Sequence, residues 1–240
     1  MQAVILAGGK GRRLAPYTAA FPKPLVPVGD RAVLEVLIRG LVASGFVEIV
    51  LSVDHLAELI MAYVEGHPGL RSLARFRFVR DENPGGTAGP LRRIEGLEGT
   101  FLVANGDLLT SLDFASLVAH HRATGAAITV AVHRKPVKLG LGVLEIDDGG
   151  RITRYAEKPE FLYDVSMGVY VYDARALAHI APGEYLDFPD LVARLLAAGD
   201  TVAAYRTDAY WLDIGNPDDY ARAQDDAAAG RGPAAVRSER

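Results

Sequence analysis

Cysteine is absent from all 240 residues, which excludes disulfides, cysteine-ligated zinc and a thiol nucleophile. No apolar run approaches the roughly 20 residues of a membrane span. Only Met1, Gln2 and Ala3 precede the first apolar stretch, VILA, so the charged n-region and cleavage site of a signal peptide are missing too. Nor is there an excess of base: 26 Lys and Arg face 30 Asp and Glu, for a formal charge of -4. Nucleic acid and anionic membrane need a broad basic face, so neither is an expected partner. These absences predict a soluble cytoplasmic chain in which any bound anion is met locally. Half of the residues are hydrophobic and 23% are charged, an ordinary globular composition at a length that suits one domain with a substantial core.

Short β-rich runs alternate with helical periodicity. VILA is followed by Leu34, Leu37, Ile38, Leu41 and Val42 at helical spacing, closed by Gly45. EIVLSV precedes a second helical face of Leu56, Leu59, Ile60, Tyr63 and Val64, and then come FRFV, a glycine-rich loop, a short helix and FLVA. Apolar runs without polar alternation mark strands covered on both faces, so the first half predicts an α/β fold with a mainly parallel sheet between helices. A helix after Asp113 and the strand AAITVAVH follow. GVLEIDDGGRITRYAEKP then alternates about a DDGG turn, which predicts a small antiparallel insertion. SMGVYVYD returns to the sheet. The helix carrying Phe188, Leu191, Val192, Leu195 and Leu196, the strands TVAAY and YWLDI, and a last helix with Asn216 as N-cap and Pro217 at N1 complete the order. Residues 1–225 read as one domain and 226–240 as a frayed tail.

The local charge is in GGKGRRLAPYTAAFPKP, where Lys10, Arg12, Arg13 and Lys23 gather before the first acid, Asp30. A dinucleotide fingerprint would need glycine where Leu14 stands and a long helix after it, which Pro16, Pro22 and Pro24 forbid. A P-loop would need Ser or Thr after its Gly-Lys, and Lys10 is followed by Gly11 and two arginines. What remains is a loop whose small residues let backbone N–H groups approach an anion while cations add full charge. A polyphosphate is the natural occupant; the bland alternative is a solvated basic loop stiffened by prolines. Lys23, between Pro22 and Pro24, is expected to be extended.

Two aspartates stand at expected strand ends, Asp107 in FLVANGD and Asp213 in YWLDIG. Asn105-Gly106 can also be read as a hairpin turn, but DLLTSLD alternates poorly as a returning strand and reads as a loop. Carboxylates at the carboxyl edge of one sheet would together hold a hard cation such as Mg2+, which completes its octahedron with water and phosphate oxygens. In AEKPEF, Pro159 predicts an extended Lys158, and Glu157 can accept hydrogen bonds from hydroxyl groups.

With LAGGKGRRLAPYT, FPKPLVPV, ENPGGTAGPL, NGD, EKP, MGVYVY and YWLDIGNPDDY in order along nearly the whole chain, the sequence resembles the sugar-1-phosphate nucleotidylyltransferases. The resemblance implies a Rossmann-like mixed sheet, with residues 1–110 mainly on the nucleotide side and 111–225 mainly on the sugar-phosphate side. It implies that Gly8, Gly9 and Gly11 cradle a nucleoside triphosphate, with Leu6, Ala7, Arg12, Asn83, Gly86, Thr87 and Asn105 lining it. Arg13 and Lys23 would be the catalytic cations on its phosphates, and Asp107 and Asp213 would hold Mg2+. Gly142, Glu157, Lys158 and Ser166 would receive the sugar 1-phosphate. The implied reaction is attack of the sugar-phosphate oxygen on the α-phosphorus, with pyrophosphate leaving.

Arg12 stands where the family usually has Thr, and Ser166 where many members have Asn. GGTAGPL with YWLDIG looks most like the guanylyltransferases that act on mannose- or heptose-1-phosphate. Thymidylyl-, uridylyl- and cytidylyltransferases of glucose-1-phosphate, other sugar phosphates or a cyclitol phosphate share the same pattern and stay open. So do a relative acting on phosphocholine and a non-catalytic regulatory binder, although a binder has little need of cations and metal at the phosphorus. Apolar residues on the insertion could form a homo-oligomer interface.

Overall fold

The unalternated apolar runs form the middle of one sheet. The computed structural model describes residues 1–9, 11–14, 18, 20–80 and 85–234. Its strands are β1 (Gln2–Leu6), β2 (Pro27–Val28), β3 (Arg31–Ala32), β4 (Glu48–Val53), β5 (Arg75–Arg80), β6 (Thr100–Asn105), β7 (Leu108–Thr110), β8 (Ile128–Lys138), β9 (Val143–Ile146), β10 (Ile152–Ala156), β11 (Glu160–Asp173), β12 (Val202–Arg206) and β13 (Trp211–Asp213). The helices are α1 (Val33–Ala43), α2 (Ala57–Gly66), the single turn α3 (Pro68–Arg71), α4 (Phe114–Thr124), α5 (Phe188–Ala197) and α6 (Pro217–Ala228).

The central sheet runs β12-β8-β11-β6-β1-β4-β5. β6, β1, β4 and β5 are parallel neighbours, as are β12 and β8, while β11 is antiparallel to both β6 and β8. Successive residues of a strand face opposite sides. Thus Ile5 and Leu51 pack under Leu34, Ile38 and Ile60 on one face, and Val4 and Val50 join Leu91, Leu191 and Leu195 on the other. Each such side chain contributes about 1.5–3 kcal/mol of burial, which is why runs like EIVLSV, buried at every position, lie only in the interior of the sheet.

Helix ends follow the expected chemistry. Asp113 accepts from the Ser116 N–H at 3.0 Å, and Asn216 from the Asp219 N–H at 2.9 Å. Gly45 ends α1 with a φ of 87°. The apolar face of α2 is narrower than its spacing predicts: Leu56 precedes the helix with a φ of 54°, and Leu59 is 41% exposed.

Three further expectations are corrected. DLLT is not a loop: β7 pairs antiparallel with β13 rather than folding back on β6, because the partner that completes it lies far along the chain. β8 and β11 outrun the sheet, pairing from Val165↔His133 to Glu160↔Lys138 as an exposed arm beside the β9–β10 hairpin. The segment after residue 225 is not frayed as far as Ala234: Arg231 pairs with Asp226 at 2.7 Å, and Ala227 and Ala234 are buried with Leu212 and Ile214. No helix among the described residues is long and apolar enough to cross a membrane.

Candidate functional site

Leu6, Ser52 and Asn105 stand side by side at the carboxyl ends of three parallel strands, and the loops after them open a cleft of about 400 Å3 at this edge of the sheet. Ligands of open α/β sheets gather at this edge. Leu6, Ala7, Gly8 and Gly9 line it from the end of β1 and the loop beyond, and Gly86 and Thr87 from the segment between β5 and β6. Asn105, Asp107 and Lys23 also line it. A side chain on Gly9 would meet no protein atom within 4 Å, whereas one on Gly8 would stand 3.0 Å from the Asp54 Cβ. Glycine therefore leaves bare backbone at Gly9 and permits close approach of the loops after β1 and β4 at Gly8.

Asp107 and Asp213 come together through β7 and β13. Leu108 is the register partner of Asp213, and the Ile214 N–H donates to the Asp107 carbonyl at 3.2 Å. Between them lies Lys23. Its side chain is only 9% exposed; the ammonium is ion-paired with Asp107 Oδ2 and stands 3.5 Å from Asp213 Oδ1. Although 43% of the Asp213 side chain is open, its Oδ1 is enclosed and has no hydrogen-bond partner. Burial and the Asp107 charge push the Asp213 carboxyl above the usual range, against the pull of Lys23 and Arg13. The Arg13 guanidinium lies over Gly215, its atoms 3.2–3.4 Å from where a Cβ would stand.

An enclosed carboxylate oxygen held only by an ion pair at 3.5 Å, beside a second carboxylate, is a fitting donor set for a hard divalent cation. Among the described residues no group of three or more His, Cys, Asp or Glu could hold a metal. An ion held by Asp107 and Asp213 would therefore take its remaining ligands from water and an anionic substrate.

Backbone conformations here differ from expectation. Lys23 is not extended but opens the 3-10 turn Lys23–Leu25, so burial and the two carboxylates fix its side chain rather than its flanking prolines. Lys158 has a left-handed φ of 45°, and its ammonium is 3.9 Å from Glu157. Gly11 has a φ of 56°, with Thr18 and Lys23 packed against its α-carbon. Arg12 begins the turn Arg12–Leu14. Lys10 and Asn83 lie outside the described residues.

The residues assigned to the sugar phosphate stand apart from this cleft. Gly142 and Glu157 meet on the antiparallel insertion, where the Tyr155 hydroxyl donates to Glu157 at 2.8 Å and crowds the Gly142 α-carbon. Ser166 lies nearer. It sits at the β11 irregularity, where its hydroxyl donates to Tyr170 at 3.2 Å and accepts from the Gly168 N–H. Gly168, with a φ of 72°, abuts the Asn105 amide. Ser52, Asp54, Pro90 and Tyr185 also line the cleft, and sequence reasoning missed them. The end of β4 was a usable signal for Ser52 and Asp54; Tyr185 sits in an irregular segment without a motif.

An open α/β sheet with a glycine-walled cleft and an acid–base cluster at its carboxyl edge defines a class built to take a polar ligand at the strand ends. The comparisons narrow the class to a family. The nucleotidyl transferase family model matches residues 2–230, and the chain belongs to that family, among the sugar-1-phosphate nucleotidylyltransferases. It is 33% identical to a UTP–glucose-1-phosphate uridylyltransferase of Synechocystis sp., over 92% of this chain and 61% of that one. It is 30% identical to a mannose-1-phosphate guanylyltransferase of Mycobacterium tuberculosis, over 100% of this chain and 68% of the relative. The chain thus spans about three fifths to two thirds of the length of these relatives. Among solved structures, HddC from Yersinia pseudotuberculosis complexed with GMP-PN superposes with a TM-score of 0.70 at 25% identity, covering 93% of this chain and 98% of that one.

Proposed function

We propose that this protein joins a nucleoside triphosphate to a sugar 1-phosphate, releasing pyrophosphate and a nucleotide-diphosphate sugar. The observation that carries the reading is the Lys23 ammonium held between Asp107 and Asp213 at the rim of the glycine-walled cleft. In this reading Gly8, Gly9 and Gly11 give the triphosphate close approach to backbone, with Leu6, Ala7, Gly86, Thr87 and Asn105 around it. Lys23 and Arg13 face its phosphates. Glu157, Lys158, Gly142 and Ser166 receive the sugar 1-phosphate.

Two polyanions repel each other, so catalysis here is alignment plus neutralisation of charge that grows on the α-phosphate. Lys23, buried beside the two carboxylates, would turn its ammonium to that charge once a metal neutralises them. Arg13 adds a planar donor set beside Asp213. Asp107 and Asp213 would hold Mg2+, which when bound supplies Lewis-acid stabilisation of phosphoryl oxygens. The sugar-phosphate oxygen attacks the α-phosphorus and the bond to pyrophosphate breaks, with no covalent enzyme intermediate.

GTP with mannose- or heptose-1-phosphate is our first choice. GGTAGPL and YWLDIG favour it, as do relatives named mannose-1-phosphate guanylyltransferase. UTP with glucose-1-phosphate is the second reading, favoured by the 33% identity to the uridylyltransferase. The nucleotide substrates belong to the cytoplasm, and the exposed Leu141, Ile146 and Ile152 of the insertion support a homo-oligomer that light scattering can test. The decisive assay is pyrophosphate release from each common triphosphate paired with mannose-, glucose- and heptose-1-phosphate in Mg2+. One strongly preferred pair is expected, with Arg13→Ala slowing it roughly 10²–10³-fold. No release from any pair, by chain shown to be folded, would overturn the assignment.

A further inference from the structure

Asp187 occupies the N-cap position of α5, where an aspartate ordinarily accepts from N–H groups of its own first turn. It makes no such bond. Its Oδ1 instead accepts from the backbone N–H of Thr87 at 3.0 Å and the Thr87 hydroxyl at 3.2 Å, while Oδ2 accepts from the Tyr185 hydroxyl at 3.1 Å. The Thr87 oxygen in turn accepts from the Phe188 N–H at 2.8 Å. The two segments have exchanged caps: Thr87 satisfies an orphan donor of α5, and Asp187 satisfies the loop that carries Thr87.

The same segments are locked along their backbones. Ala88 and Gly89 N–H donate to the Leu186 carbonyl at 2.9 and 3.0 Å, and the Leu186 N–H donates to Gly85 at 3.0 Å. A Cβ on Gly86, whose φ is 75°, would stand 2.5 Å from the Leu186 oxygen, and one on Gly89 equally close to the Glu184 oxygen. This fixed wall carries Tyr185 on its cleft side. The ring is 62% exposed yet its hydroxyl is tethered, so the side chain is held at its tip where it lines the same cleft as Gly8 and Gly9.

We propose that Tyr185 is a nucleotide-binding residue whose ring stacks on the base, and that Asp187 is a positioning residue that holds Tyr185 and the Gly86–Thr87 wall in place. The inference rests on the nucleotidylyltransferase reading and adds a contact on the base. Because every base has a π face, Tyr185 supplies affinity without choosing among bases. Tethering the hydroxyl removes part of the ordering cost that a free aromatic side chain would incur on binding.

The test uses Tyr185→Ala, Tyr185→Phe and Asp187→Asn in the full chain. It measures KM for each substrate, kcat, the equilibrium Kd for magnesium nucleoside triphosphate, and the melting temperature. Tyr185→Ala is expected to raise KM and Kd for the triphosphate roughly 5- to 50-fold, with the loss carried by KM rather than kcat and KM for the sugar phosphate unmoved. Tyr185→Phe, which keeps the ring and loses the tether, and Asp187→Asn should each raise them by about two- to fivefold. Folded Tyr185→Ala with wild-type Kd overturns the proposal, as does Asp187→Asn that lowers the melting temperature while leaving Kd unchanged. Should wild-type protein bind triphosphate but release no pyrophosphate, the activity reading fails, and the Kd comparison still decides on Tyr185.

Discussion

Lys23→Met separates the structural work of the central lysine from its proposed catalytic work. Methionine keeps the unbranched length of the side chain and removes the ammonium between Asp107 and Asp213. Breaking a buried pair by deleting one partner costs about 3–5 kcal/mol. Because 24% of the Asp107 and 43% of the Asp213 side chain are open to water, solvent screens part of this and about 2–4 kcal/mol is expected. At roughly 2–4 °C per kcal/mol for a domain of this size, melting should fall by about 4–16 °C. The loss has a pH signature. Asp213 already titrates high, through burial and the Asp107 charge, and removing Lys23 takes away a charge that lowers it. A carboxyl whose folded pKa lies above its unfolded value of about 3.9 loses stability as pH rises from that value through the folded one. The variant should therefore lie closest to wild type near pH 4 and furthest from it at neutral pH.

Magnesium gives the second arm. A cation that binds the folded chain stabilises it by about 2.7 kcal/mol at a concentration of 100 Kd. With the lysine gone, the two carboxylates should gain more from Mg2+ than they do in wild type, so melting recovers while turnover stays roughly 10²–10³-fold down. Thermal melts by circular dichroism at pH 4, 5.5 and 7, with and without Mg2+, run beside pyrophosphate release, read all of this. A variant that melts with wild type at pH 7 without Mg2+ would refute the electrostatic reasoning, and so would a deficit that does not shrink towards pH 4.

Asp107→Asn should raise the Mg2+ concentration needed for half-maximal pyrophosphate release, seen by titrating metal at saturating substrates. Gly86→Ala should cost about 2–4 kcal/mol in urea unfolding, since φ is 75° and the Leu186 oxygen occupies the Cβ position. Glu35 is buried, which would raise its pKa, but hydrogen bonds from Arg39 and Tyr63, each at 2.8 Å, outweigh burial and hold it low. Its contribution is present above the unfolded value of about 4.3 and lost as pH falls through the lowered one. Glu35→Gln should thus melt below wild type at pH 7, by about 1–3 kcal/mol, with the gap closing in acid.

Strand interiors and helix caps were legible because their causes are local. EIVLSV admits one burial pattern, and Asn216-Pro217 one helix start. Lengths were less so: β8 and β11 continue as an exposed arm because they pair with each other beyond the sheet, and no apolar signal marks such pairing. The prolines around Lys23 and beside Lys158 misled for a related reason. A residue before proline prefers extended backbone by a modest margin, and at Lys23 burial between two carboxylates overrides that preference. The cleft wall was half legible. GGT announced its glycines, but Tyr185 and Asp187 acquire meaning only by crossing to Thr87.

The convergence of Asp107 and Asp213 shows where motif reading reaches its limit. Each was visible as a carboxylate at a strand end, yet what unites them is a three-residue antiparallel pair whose strands contribute little as isolated segments. That pair is held from outside: Leu109 and Leu212 are buried with Val33, Val36 and Ala223 of the neighbouring helices, and the Trp211 indole donates to the Met167 carbonyl at 2.9 Å. α6 therefore serves the carboxylates, since its alanines cover the back of the pair that aims them. Enlarging Ala223 to Leu should overpack this small core and shift β13, lowering Mg2+ affinity without touching either carboxylate. Unchanged Mg2+ affinity in a folded Ala223→Leu chain would show that β13 is held by its sheet bonds alone.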